Sequence, residues 1–184
     1  HNDLHINNVM FSETEKKYLY YKKNNKYFRV PTYGKIFKII DFGRSILTYK
    51  NKIYMNDVFS KIGEAGGQYH YPSQVKFYKG EDPKGVVLGG VKPNYCFDLC
   101  RLSMTILDEL DTDKITDKTK YFLNRMCEDR NNDNFCDMED DFNLYISIAK
   151  NSVNSLPIDI LNKDIFDNYR VKKNKFPMKS YYSF

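Results

Sequence analysis

The sequence contains no tryptophan, only three histidines and only four cysteines in 184 residues. The cysteines Cys96, Cys100, Cys127 and Cys136 follow no recognised zinc-binding spacing, so we expect buried free thiols in a reducing compartment. No apolar run reaches the roughly 18 residues that a transmembrane helix needs, and the first residues do not resemble a signal peptide. These absences predict a cytoplasmic, intracellular protein with no membrane partner.

Positive charge exceeds negative charge only modestly. The chain carries 29 Lys and Arg against 24 Asp and Glu, a net charge of +5. Short basic runs at 16–17, 22–26 and 170–179 are interleaved with aromatic residues, a pattern found in nucleic-acid-binding proteins. Runs this short are more often solvated faces, so nucleic acid is not the expected partner and an acidic peptide is favoured. With 41% hydrophobic residues, the chain is long enough for one domain with a core.

The strongest chemical signal lies in the first ten residues and in a later tripeptide. Asp3 stands in the run His-Asn-Asp-Leu-His, and Asn8 follows it five positions later. Asp41 comes directly after the apolar strand pattern of 36–40 and begins the tripeptide Asp-Phe-Gly. Mg²⁺ takes one or two carboxylates and completes its shell with phosphate and water. Phosphoryl transfer needs mainly such positioning and charge neutralisation.

The two motifs, in this order, resemble the catalytic loop and the Asp-Phe-Gly segment of the protein kinase superfamily. The resemblance implies an α+β fold like the kinase C-terminal lobe, mainly helical, with a small β-hairpin sheet that carries both loops. It implies ATP as phosphoryl donor, Mg²⁺ as cofactor, Asp3 as catalytic base, and Asn8 and Asp41 as metal ligands. Phe42 and Gly43 would anchor and hinge the start of the activation segment.

The same resemblance gives two residues a structural role. His1 matches the motif histidine that packs beneath Asp-Phe-Gly, and Asp98 matches an early helix aspartate that holds the catalytic-loop backbone. For Asp98 the alternative is an ordinary first-turn acid favoured by the helix dipole. Its helix is predicted to begin near Asn94. The face predicted to be buried in this helix consists of Leu99, Leu102, Ile106, Leu107 and Leu110.

Two positions in the catalytic loop depart from the protein-kinase pattern. Asn2 replaces an Arg that pairs with a phosphorylated residue of the activation loop, so control by such phosphorylation is not expected. His5 replaces the Lys of Ser/Thr kinases and resembles haspin-type kinases and aminoglycoside-kinase-like phosphotransferases. A neutral imidazole at His5 can donate a hydrogen bond to the γ-phosphate, or it can be a purely structural loop residue.

The segment between the two motifs is longer than in ordinary protein kinases. Residues 12–34 place aromatic and β-branched runs around Asn24-Asn25, which predicts an extended hairpin. This elaboration resembles Ser/Thr kinases encoded by large nucleocytoplasmic DNA viruses, and segments 30–45 and 97–102 carry the likeness. Glycine clusters follow at 63–67 and 85–90. The first does not match the kinase Gly-rich spacing, so we expect a mobile substrate-side loop there.

The rest of the chain is predicted to be helical. Apolar stripes predict helices over 116–127, with Tyr121 in its core face, and over 142–149, while Ser155 and Pro157 predict the start of another. An acidic stretch between the first two falls near the ligand positions of a calcium loop. Its members are Asp129, Asn131, Asp133, Asp137 and Asp140. Because Asn134 replaces the turn glycine, a solvated loop is favoured and calcium is the alternative.

These predictions combine into one partial kinase domain. It would comprise the catalytic loop, hairpin and Asp-Phe-Gly in 1–43, an activation and substrate segment in 44–93, and a helical lobe in 94–184. The resemblance places the N-lobe of the same polypeptide before His1, so we expect little activity from these residues alone. The predicted function of the intact parent is phosphoryl transfer to protein Ser/Thr hydroxyls. A small-molecule phosphotransferase and a pseudokinase scaffold are the alternatives.

Overall fold

The chain folds as an α+β protein, which confirms the predicted class. The computed structural model describes residues 1–50, 52–55, 69, 78–79, 86–87, 93–139, 141–177 and 180–183. The chain divides into two compact units, each assembled from two separate stretches of sequence. Unit 1 consists of His1–Asn8 and Asp41–Pro157, and unit 2 consists of Val9–Ile40 and Ile158–Phe184. Within the described residues, no helix is long and apolar enough to cross a membrane.

Strands predominate in the first half of the chain and helices in the second. The strands are β1 Val9–Glu13, β2 Tyr18–Lys23, β3 Lys26–Pro31, β4 Lys35–Ile39, β5 Leu47–Tyr49, β6 Lys52–Tyr54, β7 Tyr78–Lys79, β8 Val86–Val87 and β9 Tyr182–Ser183. The α-helices are α1 Phe97–Glu109, α2 Asp117–Met126, α3 Phe142–Asn151 and α4 Pro157–Ile160. Short 3₁₀ turns, including Ile6–Asn8 and Phe42–Arg44, connect several of these elements.

Unit 1 is built on three helices around one apolar core. Helix α2 starts where the Thr116 hydroxyl accepts the Thr119 N–H, and α3 starts where Asp141 accepts the N–H groups of Asn143 and Leu144. Both are N-cap contacts that satisfy otherwise unpaired amides. The buried core consists of Tyr69, Phe97, Cys100, Met104, Cys127, Phe135, Leu144, Ile148 and Ala149. Most of these residues come from the helices, so the core of unit 1 is mainly helical.

The buried face of α1 differs from the predicted leucine stripe. Phe97, Cys100 and Met104 enter the core together with Arg101 and Ser103. The predicted members Leu99, Leu102, Ile106 and Leu107 are only partly buried, and Leu110 is exposed and lies beyond the helix end. The prediction was wrong because it followed the largest aliphatic side chains. The small side chains of Cys100 and Ser103 are buried instead. The large rings of Tyr69 and Phe135 lie in the same core as Cys100.

Two further predictions about burial need correction. Tyr121 on α2 is 69% exposed and does not enter the core. Cys136 is exposed, whereas Cys96, Cys100 and Cys127 are buried free thiols as expected. Pro157 begins α4, as predicted. The buried Ser155, predicted with Pro157 to mark this helix start, donates its hydroxyl to the carbonyl of Cys96 at 2.7 Å. This hydroxyl therefore ties the chain to the start of α1.

Unit 2 contains the predicted extended hairpin. Strands β2 and β3 pair antiparallel around Asn24-Asn25, and Asn24 has a φ of 53°. Asn tolerates this left-handed conformation better than most residues, which explains the tight turn. Strand β9 adds to β2 in parallel, and β1 pairs with β4 in a separate two-stranded sheet with Phe11 opposite Phe37. Phe28 of β3 and Ile160 of α4 are buried in this unit.

Candidate active site

A carboxylate at the start of α1 holds the backbone of the first loop. Asp98 lies in the first turn of α1, and its Oδ1 accepts the Asn2 N–H at 2.6 Å. Its Oδ2 accepts from the backbone nitrogen of His1 at 2.9 Å. Asn2 is 4% exposed, so its amide has little access to water as an alternative partner. Asp98 therefore fixes the start of the loop that carries Asp3.

The side chain of Asn8 closes the same loop. Its Nδ2 donates to the Asp3 carbonyl at 2.9 Å and lies 3.1 Å from Nε2 of His5. The backbone N–H of Asn8 donates to the His5 carbonyl at 2.9 Å, and Thr105 of α1 accepts the Ile6 N–H at 3.1 Å. Since the amide nitrogen is used in these contacts, the amide oxygen is the atom that Asn8 can offer to a cation.

Two strained backbone positions belong to this site. Asp41 has a φ of 57° and Asn2 a φ of 64°, in the left-handed region that non-glycine residues rarely adopt. Asp41 caps the turn Phe42–Arg44, and its Oδ1 accepts the Gly43 N–H at 3.3 Å. A Cβ added to Gly43 would lie only 3.3 Å from that oxygen, so glycine suits the position. Strain of this kind concentrates at functional sites, where the surroundings hold it in place.

Asp3 is surrounded by charges of both signs. Its side chain is 17% exposed, and burial raises the pKa of this carboxyl above its ordinary value of 3.8. Arg44 and His5 oppose the rise, while the negative charge of Asp41 adds to it. Arg44 Nε lies 3.7 Å from Asp3 Oδ2. Both carboxylates belong to unit 1.

Arg44 and Tyr69, which had no predicted role, connect this loop to the segment after Asp-Phe-Gly. Arg44 Nη1 donates to the Tyr69 hydroxyl at 3.1 Å, and that hydroxyl donates to the Asn2 carbonyl at 2.5 Å. Asn2 Nδ2 in turn donates to the Arg44 carbonyl at 3.2 Å. Burial raises the pKa of Tyr69, with Arg44 opposing the rise, so the hydroxyl stays a donor. Arg44 could have been found in the sequence from its position beside Gly43. Nothing in the sequence around Tyr69 marks that residue.

His1 and Phe42 make an aromatic contact. Their ring centroids are 5.2 Å apart and the ring planes meet at 62°. Phe42 is 61% exposed, and both rings line an open cavity of about 610 Å³ together with Ile46 and Met55. The imidazole of His1 thus packs against the ring of Phe42.

His5 lines a second cavity, of about 470 Å³. Arg101 of α1 also lines it, is 8% exposed, and has its guanidinium carbon 5.3 Å from the ring centroid of Tyr145. The positive charge of Arg101 lowers the pKa of Asp3 slightly, against the larger effect of burial. The exposed carboxylate of Asp108 belongs to the same lining. The space beside the loop that carries His5 is therefore lined by charges of both signs.

All eight residues with a predicted site role lie in unit 1. They are His1, Asp3, His5, Asn8, Asp41, Phe42, Gly43 and Asp98.

The glycine cluster at 63–67 lies outside the described residues, and only 86–87 of the second glycine cluster are described. In the candidate calcium loop, Asp129 Oδ1 accepts the N–H groups of Asn131 and Asp133 at 2.7 and 3.1 Å, and Asp140 lies outside the described residues. Over the described ranges, no group of three or more His, Cys, Asp and Glu side chains could hold a metal ion.

Comparison of the chain with protein-family models, curated proteins and solved structures returns no match. Function therefore has to be inferred from the residues of this site and their geometry. The site combines the half-buried carboxylate of Asp3 with the side-chain oxygens of Asn8 and Asp41. An ordered loop presents the first two of these side chains, and a strained turn presents the third.

Proposed function

We propose that this chain supplies the catalytic loop and the metal-binding aspartate of a Ser/Thr protein kinase, and that its fold is a kinase-like C-lobe. One observation carries the proposal. Asp98 holds the loop in which Asn8 is hydrogen-bonded to Asp3, and Asp41 lies within electrostatic reach of Asp3. Oxygen-bearing side chains from two separate motifs of unit 1 support the proposal, because transfer of a γ-phosphoryl group from ATP requires such groups.

The donor set suits Mg²⁺ and the phosphates of ATP. Asn8 can offer its amide oxygen and Asp41 its exposed carboxylate, both of them hard oxygen ligands. Two protein ligands are enough for Mg²⁺ when phosphate oxygens and water complete the shell. These two residues would hold the ion, which neutralises phosphate charge when bound.

Asp3 is the group placed to handle the proton of the substrate hydroxyl. Burial raises its affinity for a proton, as a base requires, and Arg44 and His5 limit the rise. The Arg44 nitrogen is 3.7 Å from the Asp3 carboxylate, beyond direct hydrogen-bonding distance, so the carboxylate can still accept from a hydroxyl. Tyr69 and Asn2 anchor Arg44 through contacts that need no phosphate. We expect activity without phosphorylation of the activation segment.

The test is phosphoryl transfer by the longest natural polypeptide that contains this chain. Radiolabelled ATP, Mg²⁺ and dephosphorylated casein are the substrates. Asp3→Asn should lower the rate by about 10²–10⁴-fold, the usual contribution of a positioned base. Asp41→Asn should lower it and raise the Mg²⁺ concentration needed. Asp137→Asn, an exposed carboxylate of unit 1 outside the site, is the matched control and should leave the rate unchanged.

Each alternative function has its own outcome in this assay. Labelling of an aminoglycoside but not of casein would identify a small-molecule phosphotransferase. Absence of transfer to either substrate would favour a binding scaffold. Transfer to casein that survives Asp3→Asn would refute the role of Asp3.

A further inference from the structure

Unit 2 concentrates the positive charge of the protein. It contains 14 Lys and Arg residues against five Asp and Glu, a net charge of +9 within 59 residues. The remaining 15 Lys and Arg against 19 Asp and Glu give unit 1 a net charge of −4. The modest +5 of the whole chain therefore conceals two units of opposite sign. A surface of this charge attracts polyanions.

The fold joins two basic runs that are far apart in the sequence. One run is in the β2–β3 hairpin and the other follows Arg170. Strand β9 pairs in parallel with β2, with Tyr21 opposite Tyr182. The Val171 N–H donates to the Tyr27 carbonyl at 2.9 Å, and Arg170 forms a bridge with Phe28. The tail thereby becomes part of the hairpin sheet, and its lysines belong to the same unit.

One face of the hairpin collects cations and aromatic rings. The pairing register puts Tyr18, Tyr20, Lys22, Tyr27 and Arg29 on this face. Phe176 packs on it, with ring centroids 5.8 Å from Tyr20 and 4.9 Å from Tyr27. The segment directly before Phe176 holds Lys172, Lys173 and Lys175, all exposed. Phe176 therefore anchors three lysines beside the Tyr18–Arg29 face.

Cations and aromatic rings are paired at two places in unit 2. The Arg29 guanidinium carbon lies 4.6 Å from the ring centroid of Tyr18, and Lys35 Nζ lies 4.2 Å from that of Phe11. Tyr18 is 40% exposed and Phe11 52%. Such pairs present a charge for a phosphate next to a ring on which a base can stack.

We propose that unit 2 binds single-stranded nucleic acid, with the phosphates on Lys172, Lys173 and Lys175 and a base at the Tyr18–Arg29 pair. An acidic protein would match the charge but leave no use for the exposed rings. An anionic membrane favours apolar side chains separated from the basic ones, whereas here they lie on one face. Single-stranded RNA and DNA share the phosphodiester and base chemistry that this face recognises. The inference is independent of the proposed phosphoryl transfer.

The first test is binding of the 184-residue chain to fluorescein-labelled 20-nucleotide oligo(U) and oligo(dT), followed by anisotropy over a range of salt concentrations. The triple variant K172Q/K173Q/K175Q should bind at least about tenfold more weakly in low salt, and its log–log salt slope should be smaller by about two, because three phosphate contacts are lost. The matched control K114Q/K118Q/K120Q removes the same charge from unit 1 and should bind like the parent protein.

A second variant tests stacking independently of charge. Tyr18→Ala should weaken binding by about fivefold or more while leaving the salt slope unchanged. Tyr121→Ala, which removes an exposed tyrosine of unit 1, is the control and should have no effect. Circular dichroism of every variant confirms that the fold is intact.

Four results would overturn the proposal. The first is an equal loss of oligonucleotide affinity in both triple variants, and the second is binding of a 20-base-pair duplex as tight as that of the single strands. The third and fourth are binding to polyglutamate, or to phosphatidylserine vesicles, that K172Q/K173Q/K175Q weakens as much as it weakens oligonucleotide binding. The last two would identify an acidic-protein surface and a membrane surface respectively.

Discussion

Asp98→Ala removes the carboxylate that holds the loop carrying Asp3. The Asn2 N–H would lose a charge-assisted hydrogen bond of 2.6 Å and stay buried, because Asn2 is 4% exposed. Loss of such a bond costs about 1.5–3 kcal/mol. The variant also loses the favourable interaction of a first-turn acid with the helix dipole, about 0.3–1 kcal/mol. Because the Asp98 side chain is 28% exposed, we expect a total loss of about 2–3 kcal/mol in the free energy of unfolding.

Urea denaturation followed by circular dichroism measures this loss. The matched control is Asp117→Ala, which removes an exposed first-turn acid from α2 and so tests the dipole contribution alone. We expect that control to lose at most about 1 kcal/mol. Asp98→Asn keeps one acceptor oxygen and should fall between the two. If Asp98→Ala were no less stable than Asp117→Ala, the aspartate would be an ordinary first-turn acid and the reasoning about the loop would fail.

Two further predictions concern a buried hydroxyl and a helix cap. Tyr69→Phe leaves the Asn2 carbonyl and the Arg44 guanidinium without their hydroxyl partner. The free energy of unfolding should therefore fall by about 1–2 kcal/mol in the same urea experiment. An unchanged value would contradict the hydrogen bonds of Tyr69 with Arg44 and Asn2. Hydrogen bonds from the Leu144 and Asn143 amides lower the pKa of Asp141, so its ionised form stabilises α3. A lowered carboxyl pKa gives stability that is present above the ordinary value of 3.8 and is lost as pH falls through the folded-state pKa. Asp141→Ala should therefore lower the Tm at pH 7, and the difference from the parent protein should shrink below about pH 4; a difference independent of pH would contradict this.

Local sequence signals predicted the elements that depend on local physics. The Asn24-Asn25 turn between aromatic strands indicated the β2–β3 hairpin, and the alternating run before Asp41 indicated β4. Apolar spacing indicated α2. The position of Pro157 at a helix start followed from its preference for the first helical position.

What the sequence could not predict depends on contacts between distant residues. Tyr69 reaches Asn2 across 67 positions of sequence, and no periodic pattern marks it. The buried face of α1 is set by partners such as Phe135, so propensity and side-chain size pointed to the wrong residues. The pairing of β9 with β2 joins the two basic runs into one unit, and neither run alone indicates that partner.

The most direct test of the account is whether Asn8 and Asp41 bind one divalent cation. In ¹⁵N-labelled protein, paramagnetic Mn²⁺ at low millimolar concentration should broaden the amide signals around these two residues before others, and added Mg²⁺ should reverse the broadening. Asp41→Asn should abolish the effect and Asp137→Asn should preserve it. Broadening centred on residues 129–137, or unaltered by Asp41→Asn, would contradict the proposed metal site.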